Sequence, residues 1–180
     1  VETRKGVFMA GTDRFEITIL GQGGHGAYPH ETKDAIVIGA EVVSQLQNII
    51  SRRIDPLKTA VITVGRFDAG HAFNIIANKA TLIGTVRYLD PEIQSIVKEE
   101  MERVVKGICM ANNAEYELNY AEGYPPVINH EEETKIVFET AKQIPEIKNA
   151  IEVAPQMGGE DFAHYLNFKP GAFFFTGAKK

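Results

Sequence analysis

The strongest constraint on this chain is that its hydrophobic period switches from two to about 3.6 and back, twice, within residues 13–122. Phe15, Ile17 and Ile19 alternate with Glu16 and Thr18, the pattern of a strand with one buried face. From Lys33 to Arg53 the apolar residues Ile36, Val42, Val43, Leu46, Ile49 and Ile50 recur at three- and four-residue steps and predict one stripe of a helix. Thr59 to Phe67 and Lys79 to Leu89, rich in Val, Ile, Thr and Tyr, read as strands. Asp90-Pro91 opens a second helix, because aspartate accepts orphan amide hydrogens and proline is pre-set for the first helical position. Ile93, Ile96, Val97, Met101, Val104, Val105 and Ile108 form its stripe, and Asn112-Asn113 ends it. Tyr116, Leu118 and Tyr120 then alternate with Glu115, Glu117 and Asn119 as a fourth strand. The order β-α-β-β-α-β predicts an antiparallel sheet with both helices on one face, a ferredoxin-like domain of the α+β class. Such a sheet leaves one face uncovered and an edge strand open, so a homodimer is expected.

Gly123-Tyr124-Pro125-Pro126 is the clearest boundary, since two prolines cannot continue a central strand. Beyond it, Asn129 and Glu132 predict a capping-box start to a helix that runs to Ile144 and is stopped by Pro145. A short helical stretch at Asp161 to Leu166 and an apolar strand at Phe173 to Phe175 follow. So few residues make too small a core to stand alone, and they read as part of another domain. Val1 is not a natural start, and almost nothing follows the apolar strand, so both ends read as cut.

Charge narrows the partners. A formal net charge of -5 provides no basic field for nucleic acid or anionic membrane surfaces. No apolar run is long enough to span a bilayer, and Val1 to Lys5 is not followed by the apolar stretch of a signal peptide. Cys109 is the single cysteine, set among Val104, Val105 and Ile108, which excludes an internal disulfide and predicts a buried thiol in a cytoplasmic protein.

Gly21-Gln22-Gly23-Gly24-His25-Gly26 follows a strand and matches the dinucleotide pattern G-x-G-x-x-G. Its context argues against that reading: Pro29 interrupts the turn, the helix starts late, and Asp68 lies too far on to meet a ribose. Two readings stay open, a glycine-rich turn with His25 in solvent, or a rigid loop holding the imidazole toward a ligand or a neighbouring subunit. Taken alone, Arg87 reads as a surface charge on a strand and Asn74 as a turn residue. Glu160 and Asp161 are adjacent and so poorly placed to converge on one atom; Asp161 reads as a helix cap and Glu160 as a pocket residue. His30, His71 and His164 lack a metal-ligand spacing, although His71 is near enough to Asn74 to line the same pocket.

In order and spacing, four segments resemble the di-zinc metallopeptidase family of aminoacylases and glutamate-type carboxypeptidases, in its amidohydrolase branch. They are Gly24-His25-Gly26-Ala27-Tyr28-Pro29-His30, Phe73-Asn74-Ile75-Ile76-Ala77, Gly84-Thr85-Val86-Arg87 and Met157-Gly158-Gly159-Glu160-Asp161-Phe162. The resemblance implies that residues 13–122 are a lid and dimerisation domain. It makes residues 123–180 the C-terminal, truncated part of an α/β catalytic domain, and residues 1–12 a linker from a missing part. It implies a catalytic role for His25, which reaches the partner's active site and stabilises the oxygen of a tetrahedral intermediate. It places Asn74 and Arg87 on the substrate carboxylate, and Gly158, Gly159 and Glu160 beside the bound substrate. The substrate class is an N-acyl amino acid or small peptide. The intact parent is expected to hold two zinc ions or similar divalent metals. The family's Cys-His motif, glutamate pair and further histidine would lie upstream and its last histidine beyond Lys180, so this piece is expected to bind no metal and to be inactive alone.

Overall fold

The computed structural model describes residues 1–177. In chain order its strands are β1 (Glu2–Thr3), β2 (Gly6–Met9), β3 (Gly11–Leu20), β4 (Gly24–His25), β5 (Ala60–Ala69), β6 (Ile75–Ile76), β7 (Lys79–Tyr88), β8 (Glu115–Tyr124), β9 (Val127–Asn129) and β10 (Ile151–Glu152). The helices are α1 (Ala35–Arg52), α2 (Pro91–Ala111), α3 (Glu131–Gln143) and α4 (Ala163–Leu166). The chain divides into two compact units, Asp13–Val86 with Glu92–Glu122, and Val1–Thr12 with Arg87–Pro91 and the segment from Gly123 onward.

The first unit carries the expected α+β, ferredoxin-like arrangement. Its sheet runs β5-β7-β3-β8. Because β7 separates β3 from β5, and β3 separates β7 from β8, each helical crossover passes one intervening strand and the two β-α-β units interleave. Asp34 caps α1 by accepting the Ile36 and Val37 amides at 2.9 and 3.3 Å. Ala35, Ile38, Val42, Leu46 and Ile49 are buried, whereas Ile36, expected on that stripe, is exposed. Six residues before Val42, it lies roughly 240° around the helix. On α2, Ile93, Val97, Met101, Val105 and Ile108 are buried, while Ile96 is partly exposed. Phe15, Ile17 and Ile19 of β3 and Leu82 and Val86 of β7 complete the core.

Strand β3 begins earlier than its apolar alternation suggests, because Asp13 occupies the same phase as Phe15, Ile17 and Ile19 and is buried like them. Both of its carboxylate oxygens accept from Gln94 Nε2 at 3.0 Å, and the Tyr120 hydroxyl donates to Oδ2 at 2.7 Å. A buried carboxylate is tolerable only with such donors.

In the second unit, residues 1–12, expected as a linker, carry β1, which pairs parallel with β10, and β2, which pairs antiparallel with β9. Phe8, Met9, Val127, Ala163 and Leu166 form its core, with Phe162, Phe173 and Phe175 packed against it. The strand expected at Phe173 to Phe175 is only an isolated bridge between Phe175 and Glu2. The expected capping box is also replaced: His130 is the N-cap of α3 and makes no side-chain cap bond. Asn129 is instead buried, its Nδ2 donating to Thr3 Oγ1, Arg4 O and Phe173 O, and its Oδ1 accepting the Phe173 amide at 2.7 Å. Its amide satisfies backbone groups from two separate segments, a demand that outweighs capping.

Candidate functional site

The glycine-rich segment after β3 is held down by backbone pairing. Gln22 and Lys33 exchange two hydrogen bonds at 2.9 Å, and the Gly21 amide donates to Asn78 O at 2.9 Å. A Cβ on Gly21 would lie 2.2 Å from Lys33 O, so only glycine fits. None of the glycines from 21 to 26 has a positive φ, and their role is therefore close backbone approach rather than a left-handed turn. The segment then forms a two-stranded ribbon with β6, in which Gly24 opposes Ile76 and His25 opposes Ile75. At its end the Gly26 amide donates to Asn74 O at 2.9 Å. Two predicted site residues far apart in sequence, His25 and Asn74, are thereby brought to the two sides of one ribbon.

Within the ribbon the imidazole of His25 is exposed. The Ala27 amide donates to its Nδ1 at 3.1 Å. In the neutral ring this assigns the proton to Nε2, leaving an N–H donor on an exposed side chain. The Tyr28 ring lies 5.7 Å from the imidazole centroid. The arrangement holds the imidazole on a strand whose neighbouring Gly26 amide is bonded to the Asn74 carbonyl.

The other predicted residues belong to the second unit. Arg87 Nη1 and Thr12 crowd Gly159: a Cβ there would meet Thr12 Cγ2 at 2.6 Å and Arg87 Nη1 at 3.0 Å. The loop is anchored by the Ala10 amide, which donates to Gln156 O and Gly158 O at 2.9 and 3.0 Å. Arg87, Gly158 and Gly159 thus sit together. Glu160 Oε1 accepts the Phe162 amide at 3.4 Å, at the start of α4. It is therefore Glu160, not Asp161, whose carboxylate serves that helix start, since Phe162 is the N-cap and receives no other side-chain bond there. Sequence reasoning gave no role to Tyr28 and Phe73, although large aromatic residues inside Gly- and Asn-containing turns were a signal that could have been read.

The remaining histidines and the thiol are scattered. His130 Nδ1 accepts the Gly171 amide at 3.2 Å, His164 packs edge-on against Tyr124, and His30 lies beside Glu31. Cys109 is buried, and burial raises its thiol pKa. Among the described residues no three His, Cys, Asp or Glu side chains converge on a point where a metal ion could sit. The donors present among the described residues do not fit a metal centre.

Comparison with known proteins follows the same lines. The chain is 51% identical to YhaA of Bacillus subtilis, an amidohydrolase by name, over 97% of the chain and 44% of that protein. It is 41% identical to the N-acetyldiaminopimelate deacetylase of Priestia megaterium, over 99% of the chain and 48% of that protein. Among solved structures it superposes on Bacillus subtilis YxeP, described as a dinuclear metal-binding peptidase of the M20 family. That match has a TM-score of 0.72 and 30% identity, and it covers 96% of this chain and 42% of YxeP. The chain spans less than half the length of each of these proteins. No helix among the described residues is long and apolar enough to cross a membrane. Residues 10–112 match the peptidase dimerisation domain, and the chain accordingly belongs to the M20 peptidase dimerisation-domain family.

Proposed function

We propose that these residues belong to a longer metal-dependent amidohydrolase that cleaves the amide bond of N-acyl amino acids or small peptides. Residues 13–122 act as its lid and dimerisation domain, and residues 123–180 form part of its catalytic domain. One observation carries this reading: the His25 loop is bonded to the Asn74 turn, and the Ala27 amide on Nδ1 of the exposed ring leaves Nε2 to carry the proton of the neutral imidazole. A donor fixed in this way is suited to the oxygen that gains charge when a carbonyl becomes tetrahedral. The name of the Priestia relative, a deacetylase of an N-acetylated amino acid, agrees with that chemistry.

Asn74 and Arg87 hold the substrate carboxylate in this reading, the guanidinium by a bidentate grip and the amide as a neutral donor. Gly158 and Gly159 keep the neighbouring loop thin, and Glu160 lies alongside the substrate. The divalent metals, two zinc ions by the family resemblance, are held by residues outside this chain. The protein works as a cytoplasmic homodimer joined through the lid, with His25 serving the partner's site.

The test is His25→Ala in the intact protein. One lost oxyanion donor is worth about 3 kcal/mol, so kcat should fall at least about tenfold while KM changes little and the circular dichroism spectrum is retained. An unchanged kcat removes His25 from the mechanism.

A further inference from the structure

The ribbon that carries His25 and Asn74 also displays three large apolar side chains. Phe73 is fully exposed, Tyr28 is 54% exposed and Ile75 is 41% exposed. Scattered apolar residues on a surface need no explanation, but Ile75 lies in the short β4-β6 ribbon and Tyr28 and Phe73 lie within three residues of its strands. Phe73 adds nothing to the core of the fold, because it contacts so little of it. Its ring is open to an apolar contact from outside these residues.

Their placement indicates what that is. Ile75 opposes His25 in the register, and directly opposed residues of an antiparallel pair project from the same face. Tyr28 packs beside the imidazole, and Phe73 is the chain neighbour of Asn74. A small molecule with its amide at His25 and its carboxylate at Asn74 has one substituent between them, the side chain on the carbon bearing the carboxylate. Phe73, next in the chain to Asn74, is the most exposed apolar side chain on that stretch.

We propose that Phe73, flanked by Tyr28 and Ile75, is a specificity-determining residue that receives the side chain of the amino-acid half of the substrate. The enzyme then selects N-acyl derivatives of large apolar, above all aromatic, amino acids over those of glycine. This inference rests on the amidohydrolase reading above. A fully exposed ring gains its full apolar contact on such a ligand, and stacking on an aromatic side chain adds to it.

The test compares kcat/KM for N-acetylphenylalanine and N-acetylglycine in the intact, metal-loaded protein, its Phe73→Ala variant and its Phe73→Leu variant. The wild type should favour the phenylalanine substrate. The ratio of the two values should fall about tenfold or more in Phe73→Ala and recover in part in Phe73→Leu, which restores apolar bulk. A wild type that favours N-acetylglycine overturns the proposal. So does a ratio unmoved by Phe73→Ala, including the case in which both values fall together as the protein sediments as a monomer, which would place Phe73 against the second copy. A wild type that hydrolyses no N-acyl amino acid removes the amidohydrolase reading and this inference with it.

Discussion

Replacing Asp13 with alanine should be among the most damaging single changes in the ferredoxin-like unit. The carboxylate is buried in line with Phe15, Ile17 and Ile19, and it accepts from Gln94 Nε2 at 3.0 Å and from the Tyr120 hydroxyl at 2.7 Å. Hydrogen bonds to a charged group are each worth about 1.5–3 kcal/mol. Gln94 and Tyr120 are only half-buried, so water can reach the freed donors and offset part of that loss. The net destabilisation should be about 3 kcal/mol, for a chain whose whole stability is on the order of 10 kcal/mol. Asparagine cannot rescue it fully, because its amide nitrogen turns a donor toward Gln94 or Tyr120. The assay is urea unfolding of wild type, Asp13→Ala, Tyr120→Phe and the double variant, followed by far-ultraviolet circular dichroism. A real contact gives a coupling of about 1 kcal/mol between the two sites. A loss below about 1 kcal/mol for Asp13→Ala, or strict additivity in the double variant, refutes the reasoning.

Asn129→Ala should cost about 2–4 kcal/mol, since it strands the part-buried Phe173 amide and the carbonyls of Arg4 and Phe173, and Asn129→Asp should be at least as damaging because its carboxylate faces those carbonyls. Thermal unfolding of the two variants beside wild type checks this, and a melting point unchanged in both would refute the role. Tyr116 donates to Glu102, and that bond, reinforced by partial burial and the nearby negative charge, pushes its pKa up to about 12 from 10. Because the folded value lies above the unfolded one, this contribution to stability is complete below pH 10 and disappears as the pH rises through about 12. Ultraviolet titration should show a late-ionising tyrosine that Glu102→Gln returns toward 10; a titration indifferent to that change would contradict the assignment.

The fold class and the order of elements were legible in the sequence because they follow from period. Alternation at Phe15, Ile17 and Ile19 and the three-four spacing on α2 commit each segment to one buried face, and connection rules leave few ways to join them. Of the proposed site residues, His25 stood out as a histidine among glycines, whereas Asn74 and Arg87 taken alone read as a turn residue and a surface charge and were singled out only by the family resemblance. Period fails where a buried position is polar, and this hid the first part of β3, where Asp13 takes a core position only because Gln94 and Tyr120 reach it. It fails again for ribbons two residues long, which is why β1, β4, β6 and β10 went unread.

Tertiary structure alone decided which distant groups meet. Local sequence makes Asn129 a helix cap, but burial against Thr3, Arg4 and Phe173 outweighs that preference, since unsatisfied backbone groups in a core cost more than a cap is worth. In the same way the glycines from 21 to 26 state only that the backbone must be approached closely. The partners that approach, Lys33 O and Asn74 O, lie in segments joined to them by the fold, and it is this long-range pairing that positions the backbone carrying His25.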